Sequence, residues 1–139
     1  MAKKTRPPLK LNHNLSVKEV MQKSLISAKF DTLLVDAIAL LKEYGISGLV
    51  VLDNYGEFVG VVSALDIFKA VNEGDNVENL VVDDVMTPFT ITVFPDASIA
   101  DAALTMMENN IHRLVVTESP TSKKPIGIVT STDLVNNLI

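Results

Sequence analysis

Two segments carry side chains whose types and spacing could do chemistry. Gly60-Val61-Val62-Ser63-Ala64-Leu65-Asp66 and Gly127-Ile128-Val129-Thr130-Ser131-Thr132-Asp133 both read glycine, two apolar residues, a hydroxyl, two further residues and an aspartate. The apolar pair predicts the end of a buried strand, and the aspartate then falls in the first turn of the next helix. There a carboxylate can accept both hydroxyls of a ribose diol through charge-assisted hydrogen bonds. The free N–H groups and dipole of a helix start also favour an anion such as phosphate. The same pattern is equally a helix N-cap with an acid three residues on, worth about 0.5–2 kcal/mol. The two readings do not exclude each other, and the sequence leaves both open.

Catalysis needs a nucleophile, an acid or base and a charge stabiliser that converge. The histidines are His13 and His112, and cysteine is absent. No Walker loop, nucleophile elbow or metal-ligand spacing occurs. The acidic runs Asp83-Asp84 and Asp75–Glu78 read as solvated faces. The expectation is no enzyme, no metal site and no required cofactor.

The two segments belong to a repeat, and the repeat decides the architecture. Shifted by 65 positions, Leu15, Val17, Val20, Met21, Ile26, Asp31, Asp36, Ala37, Glu43, Ile46, Leu49, Val50 and Val51 each meet the same residue type. Two extra residues in one loop of the second copy then bring Gly60, Val62 and Asp66 onto Gly127, Val129 and Asp133. Leu34, Ala37, Ile38 and Leu41, and again Ile99, Ala102, Ala103 and Met106, mark the apolar face of a helix. Ser98 and Asp101 form a capping-box-like start, as Ser16 and Glu19 do for a short opening helix whose counterpart is Val82–Met86. Met106 and Met107 read as core filler. Leu49–Leu52 and Val59–Val62 flank a turn at Asp53–Gly56 and predict a hairpin; Leu114–Val116 and Ile126–Val129 predict another. These runs do not alternate, so both strand faces should be buried. Short strands near Ile26 and Ile91 precede the helices, and Leu65–Asn72 and Thr132–Leu138 read as closing helices. Each copy is β-α-β-β-α, an α/β unit (α+β-like) that cannot bury its three-stranded sheet alone, so two should pack about a pseudo-twofold axis. The division is a basic tail at 1–14, a first repeat at 15–74, a linker at 75–79 and a second repeat at 80–139.

Net charge is −5, but residues 1–14 carry Lys3, Lys4, Arg6 and Lys10 with no acid. The remaining body is therefore strongly acidic, which argues against nucleic-acid binding. The tail reads as a disordered, solubilising extension. Apolar stretches are strand-length, far short of the roughly 20 residues that span a bilayer. The basic start runs into Pro7, Pro8, Asn12 and Asn14 without an apolar region, so no export signal is read and the cytoplasm is the expected location. A cysteine-free chain fits a reducing compartment.

Taken together, Ser16 to Ile139 resembles a cystathionine-β-synthase (CBS) domain pair, or Bateman module. The resemblance rests on the paired opening Val-Met, on Asp31 and Asp96, on Ile46-Ser47-Gly48-Leu49-Val50-Val51 and Ile111-His112-Arg113-Leu114-Val115-Val116, and on the two Gly-to-Asp segments. It implies adenosyl ligands (AMP, ADP, ATP or S-adenosylmethionine) in two clefts between the repeats, a regulated partner protein and flat homodimers. It further implies that Asp66 and Asp133 hold ribose in separate clefts, helped by Ser63, Thr130 and Thr132. His112 and Arg113 would contact phosphate in the Asp66 cleft. Ile26, Ser27 and Ala28, and Ile91, Thr92 and Val93, would line the adenine pockets. The first repeat has Ser47-Gly48 where the second has His112-Arg113, so the sites should be unequal, with the phosphate-demanding one near Asp66. Leu65 in place of Thr132 removes a hydroxyl from that cleft and tempers the ranking. With no effector domain read in the chain, the partner is expected to be a separate protein or a second copy. The competing reading is a ligand-free dimerisation scaffold.

Overall fold

The computed structural model describes residues 8–12, 14–88 and 91–138, so most of the basic tail, and His13, lie outside the described residues. The first half runs through α1 (Val17–Val20), β1 (Ser27–Lys29), α2 (Leu34–Tyr44), β2 (Gly48–Leu52), β3 (Phe58–Ser63) and α3 (Ala64–Asn72). A 3-10 turn at Val77–Asn79 lies in the polar connection. The second half runs through α4 (Val82–Val85), β4 (Thr87–Pro88), β5 (Thr92–Val93), α5 (Ile99–Asn109), β6 (Arg113–Thr117), β7 (Pro125–Thr130) and α6 (Ser131–Val135).

The sheet orders are β1-β2-β3-β4 and β5-β6-β7. β1 and β2 are parallel because the chain returns through α2, whereas β2 and β3 form an antiparallel hairpin. Asp53 closes that hairpin by accepting the N–H groups of Tyr55 (2.8 Å) and Glu57 (3.0 Å). β5, β6 and β7 repeat the arrangement. Both long helices end in a left-handed residue, Gly45 (φ 62°) and Asn110 (φ 52°), equivalent positions filled by the two residue types that tolerate it.

Three clusters make the core. One face of each sheet packs on its helices: Leu34, Ala37, Leu41, Leu49 and Val62 in the first half, and Ile99, Ala102, Met106, Leu114 and Val129 in the second. The opposite faces meet each other through Val50, Val61 and Val115. Both strand faces are thus buried, as the unbroken apolar runs predict. Leu114 is fully buried. Leu114→Ala should cost about 2–5 kcal/mol by lost transfer energy and residual cavity, read as a lower midpoint in urea unfolding.

Two expectations need correction. Met106 is in the core, but Met107 is 71% exposed, because the next residue on the helix turns 100° away from the packed face. The last helix stops at Val135, not Leu138; the chain then turns through Asn136 and Asn137, and Leu138 pairs with Leu11.

The opening helices change partners. Val17, in α1, belongs to the core of the second half, and Val82, in α4, to that of the first. Val17 N–H donates to the carbonyl of Ala97, and Val82 N–H to that of Thr32. Likewise β4 pairs with β3, and Gln22 bridges Ile128 in β7. Every such contact recurs with the halves interchanged, which is the relation of an approximate twofold. Each closely approached strand carries glycine. A Cβ at Gly60 would lie 2.5 Å from the carbonyl oxygen of Thr87, and one at Gly127 would lie 2.6 Å from Sδ of Met21.

Candidate functional site

Each aspartate serves its own helix with one oxygen. Asp66 Oδ2 accepts the backbone N–H of Ser63 (2.8 Å) and its hydroxyl (2.9 Å), while Ser63 Oγ accepts from Asp66 N–H (3.2 Å). Thr130 and Asp133 repeat this at 2.8, 2.9 and 3.3 Å. The capping reading of the motif is therefore correct. It also leaves the second oxygen of each carboxylate for other donors. Asp66 Oδ1 accepts the hydroxyl of Thr87 (3.0 Å). At Asp133 the amide of Gln22 stands 3.4 Å from both oxygens. Gln22 and Thr87 are equivalent in the repeat, so the exchanged opening segments supply the outer partner of each aspartate.

Arg113 begins β6, and Gly48 occupies the equivalent start of β2. The arginine crosses to the other half, where its guanidinium lies over Gly48 so closely that any Cβ there would overlap it. Its Nη2 donates to Ser47 Oγ at 2.9 Å. Among the described residues this is the guanidinium's one hydrogen bond, out of five N–H donors. Burial holds the guanidinium below its ordinary range, and attraction to Asp66 offsets this in part. A half-buried cation with unused donors is costly unless something pairs with it.

Two cavities flank this arginine, and both draw walls from both halves. One, about 660 Å³, is lined by Ser63, Leu65, Asp66, Lys69, Thr87 and Ile91. The other, about 680 Å³, is lined by Gln22, Ser24, Ile26, Thr130, Ser131 and Thr132. Ser47, His112 and Arg113 line both. These volumes suit a nucleotide-sized molecule.

Of the residues singled out from the sequence, the structure gathers Ser63, Asp66, Ile91, Ser47, His112 and Arg113 at the first cavity. Ile26, Thr130 and Thr132, with the same Ser47, His112 and Arg113, surround the second. Several expectations change. Arg113 was expected at the Asp66 cleft alone, yet it faces both. Asp133 is not on the wall of the neighbouring cavity; Gln22 is. Ser27 and Thr92, paired with Val50 and Val115 in the parallel ladders, line neither cavity. Ala28 and Val93 are core residues, the strand alternation having turned them inward. Sequence reasoning missed Gln22, Thr87, Lys69 and the role of Gly48. The 65-residue shift contained a signal for the first two, since each follows the matched Met21 or Met86.

Among the described residues, no cluster of histidine, aspartate and glutamate could hold a metal ion, and no helix is long and apolar enough to cross a membrane. Residues 17–73 and 82–139 each match the CBS domain family. Protein MJ1426 of Methanocaldococcus jannaschii is 33% identical, with 94% of this chain and 96% of that protein covered. This chain spans 61% of one further curated relative and 22% of another. The structure of the CBS domain pair of MJ0100, in complex with 5′-methylthioadenosine and S-adenosyl-L-methionine, superposes with a TM-score of 0.78 at 27% identity, over 88% of this chain and 98% of that one. The structure of CBSX2 in complex with AMP gives a TM-score of 0.75 at 33% identity, over 87% and 93%. Two matched repeats in one mixed α/β fold of this topology mean that the chain belongs to the CBS domain family, as a tandem pair of its repeats.

Proposed function

We propose that this chain is a regulatory module, without catalytic activity of its own, that binds an adenosyl ligand between its two repeats. The observation that carries this is the half-buried Arg113, with spare donors, lining the same cavity as the carboxylate of Asp66. Asp66 would take the ribose diol on Oδ1, with Thr87 moving aside or sharing the oxygen. Ser63 holds that carboxylate in place. Arg113 and Lys69 would take phosphate, and Ile91 would cover the base. The complexes of CBSX2 with AMP and of the MJ0100 pair with S-adenosyl-L-methionine support the ligand class. The signal is linkage: a ligand that bridges the halves favours the arrangement it fits best and so changes what a partner protein meets. We place such a module in the cytoplasm, acting on an effector protein.

A dimerisation scaffold is the second reading. Leu65, Phe68 and Val71 on α3, and Met107 and Val135 on α5 and α6, are all more than half exposed. A homodimer would cover such faces with or without ligand.

Thermal unfolding separates the two. A ligand at 100 times its Kd stabilises by about 2.7 kcal/mol, a rise in Tm on the order of 10 °C for a chain of this size. AMP, ADP, ATP and S-adenosylmethionine should be screened at millimolar concentration. A rise with at least one supports the sensor; no rise with any leaves the scaffold.

A further inference from the structure

One guanidinium stands between two cavities. Arg113 lines the Asp66 cavity and the Thr130–Thr132 cavity alike. Among the described residues no second arginine shares the work: the equivalent place in the first half is Gly48, whose missing side chain is what lets Arg113 cross. The other cations are unevenly divided. Lys69 lines the Asp66 cavity. Among the described residues, Arg113 is the only lysine or arginine lining the other. A guanidinium grips one phosphate best bidentately through one edge, so a second phosphate on its other side meets only the donors left over, in poorer geometry.

We infer that Arg113 is a shared phosphate clamp, so that the pair holds one phosphorylated and one unphosphorylated adenosyl ligand in preference to two phosphorylated ones. The inference rests on the adenosyl reading above and adds how the two occupancies depend on each other. A phosphorylated ligand enters the Asp66 cavity first, where Arg113 and Lys69 both face it. Drawing Arg113 toward that phosphate strips the second cavity of its strong cation. A second phosphate there meets hydroxyls, an amide and the His112 imidazole, which also lines the first cavity, without a guanidinium, and also feels the first phosphate. An uncharged nucleoside loses nothing by the movement. The Ser47 hydroxyl, which accepts from Nη2 and lines both cavities, is the rest position from which the arginine swings.

Unequal sites alone would also give two affinities, so the test must measure coupling. Calorimetric titrations with AMP and with adenosine should be run on the intact chain and on two single-site variants, Asp66→Asn and Thr130→Ala/Thr132→Ala. Melting curves first establish that each variant is folded. For AMP, the second binding step of the unaltered chain should be about tenfold weaker than the weaker single-site variant shows on its own. For adenosine, the two steps should match the single-site values. Arg113→Ala should remove the AMP coupling. Gly48→Ala, which forces the guanidinium off its seat without deleting it, should reduce that coupling as a second route to the same result. AMP steps that match the single-site constants overturn the shared clamp while leaving the adenosyl reading intact. Coupling that persists in Arg113→Ala overturns it too. No binding of either AMP or adenosine to the unaltered chain overturns both.

Discussion

Asp66→Asn should weaken adenosine binding by about 10- to 100-fold, while Arg113→Ala leaves adenosine binding nearly unchanged. The first figure follows from hydrogen bonds to a charged acceptor, worth about 1.5–3 kcal/mol when lost, at tenfold per 1.4 kcal/mol. Asparagine keeps the side-chain volume and one carbonyl oxygen for the Ser63 N–H, so the cap of α3 is weakened and not deleted. It removes the charge and replaces one acceptor by a donor, which a diol cannot satisfy in the same way. Arg113 addresses phosphate, which adenosine lacks. The contrast between the two variants therefore reads role, not general damage. Calorimetry with adenosine and AMP on both variants checks it; equal losses of adenosine affinity would remove the assignment of ribose to Asp66. A parallel melt should register the weakened cap as a modest loss of stability, on the order of 1 kcal/mol.

Gly60→Ala should destabilise the fold by about 3 kcal/mol, lowering Tm on the order of 10 °C. An added Cβ would sit 2.5 Å from the carbonyl oxygen of Thr87 and 3.2 Å from Cα of Pro88. Both are backbone atoms, so no rotamer change relieves the clash. β4 must move off β3, and with it the Thr87 hydroxyl that contacts Asp66. Loss of ligand affinity should therefore accompany loss of stability. Gly127→Ala supplies the comparison. There the near atom is Sδ of Met21, at the far end of a flexible side chain, with the Gln22 carbonyl at 3.1 Å. A thioether can turn aside, so this variant should fall well short of Gly60→Ala. Denaturant midpoints for the two proteins decide the order, and the reverse order would show that the strand junctions are held by something other than backbone contact.

Several features were legible in the sequence because they are local. The helix faces of Leu34, Ala37 and Leu41 and of Ile99, Ala102 and Met106 follow from a 3.6-residue period. The hairpins follow from apolar runs broken by turn residues, and the caps at Ser63 and Thr130 from an acid three residues on. A repeat offset of 65 then implied that whatever one half does, the other does again. The placement of Met107 failed because it rested on residue type, whereas the 3.6-residue period already put Met106, and not Met107, on the packed face.

What the chain determined by itself is thus the set of elements, their order and the capping chemistry of Asp66 and Asp133, since each depends on residues a few positions apart. Tertiary structure alone decided which half receives each opening helix, which side chain covers Asp133 and where Arg113 points. Those outcomes depend on contacts between residues tens of positions apart, such as Arg113 with Ser47 and Gln22 with Asp133. Such contacts exist only because two sheets stack face to face and bring the starts of β2 and β6 together. A glycine that looked in the sequence like a missing arginine is, in the folded chain, the space the other arginine needs.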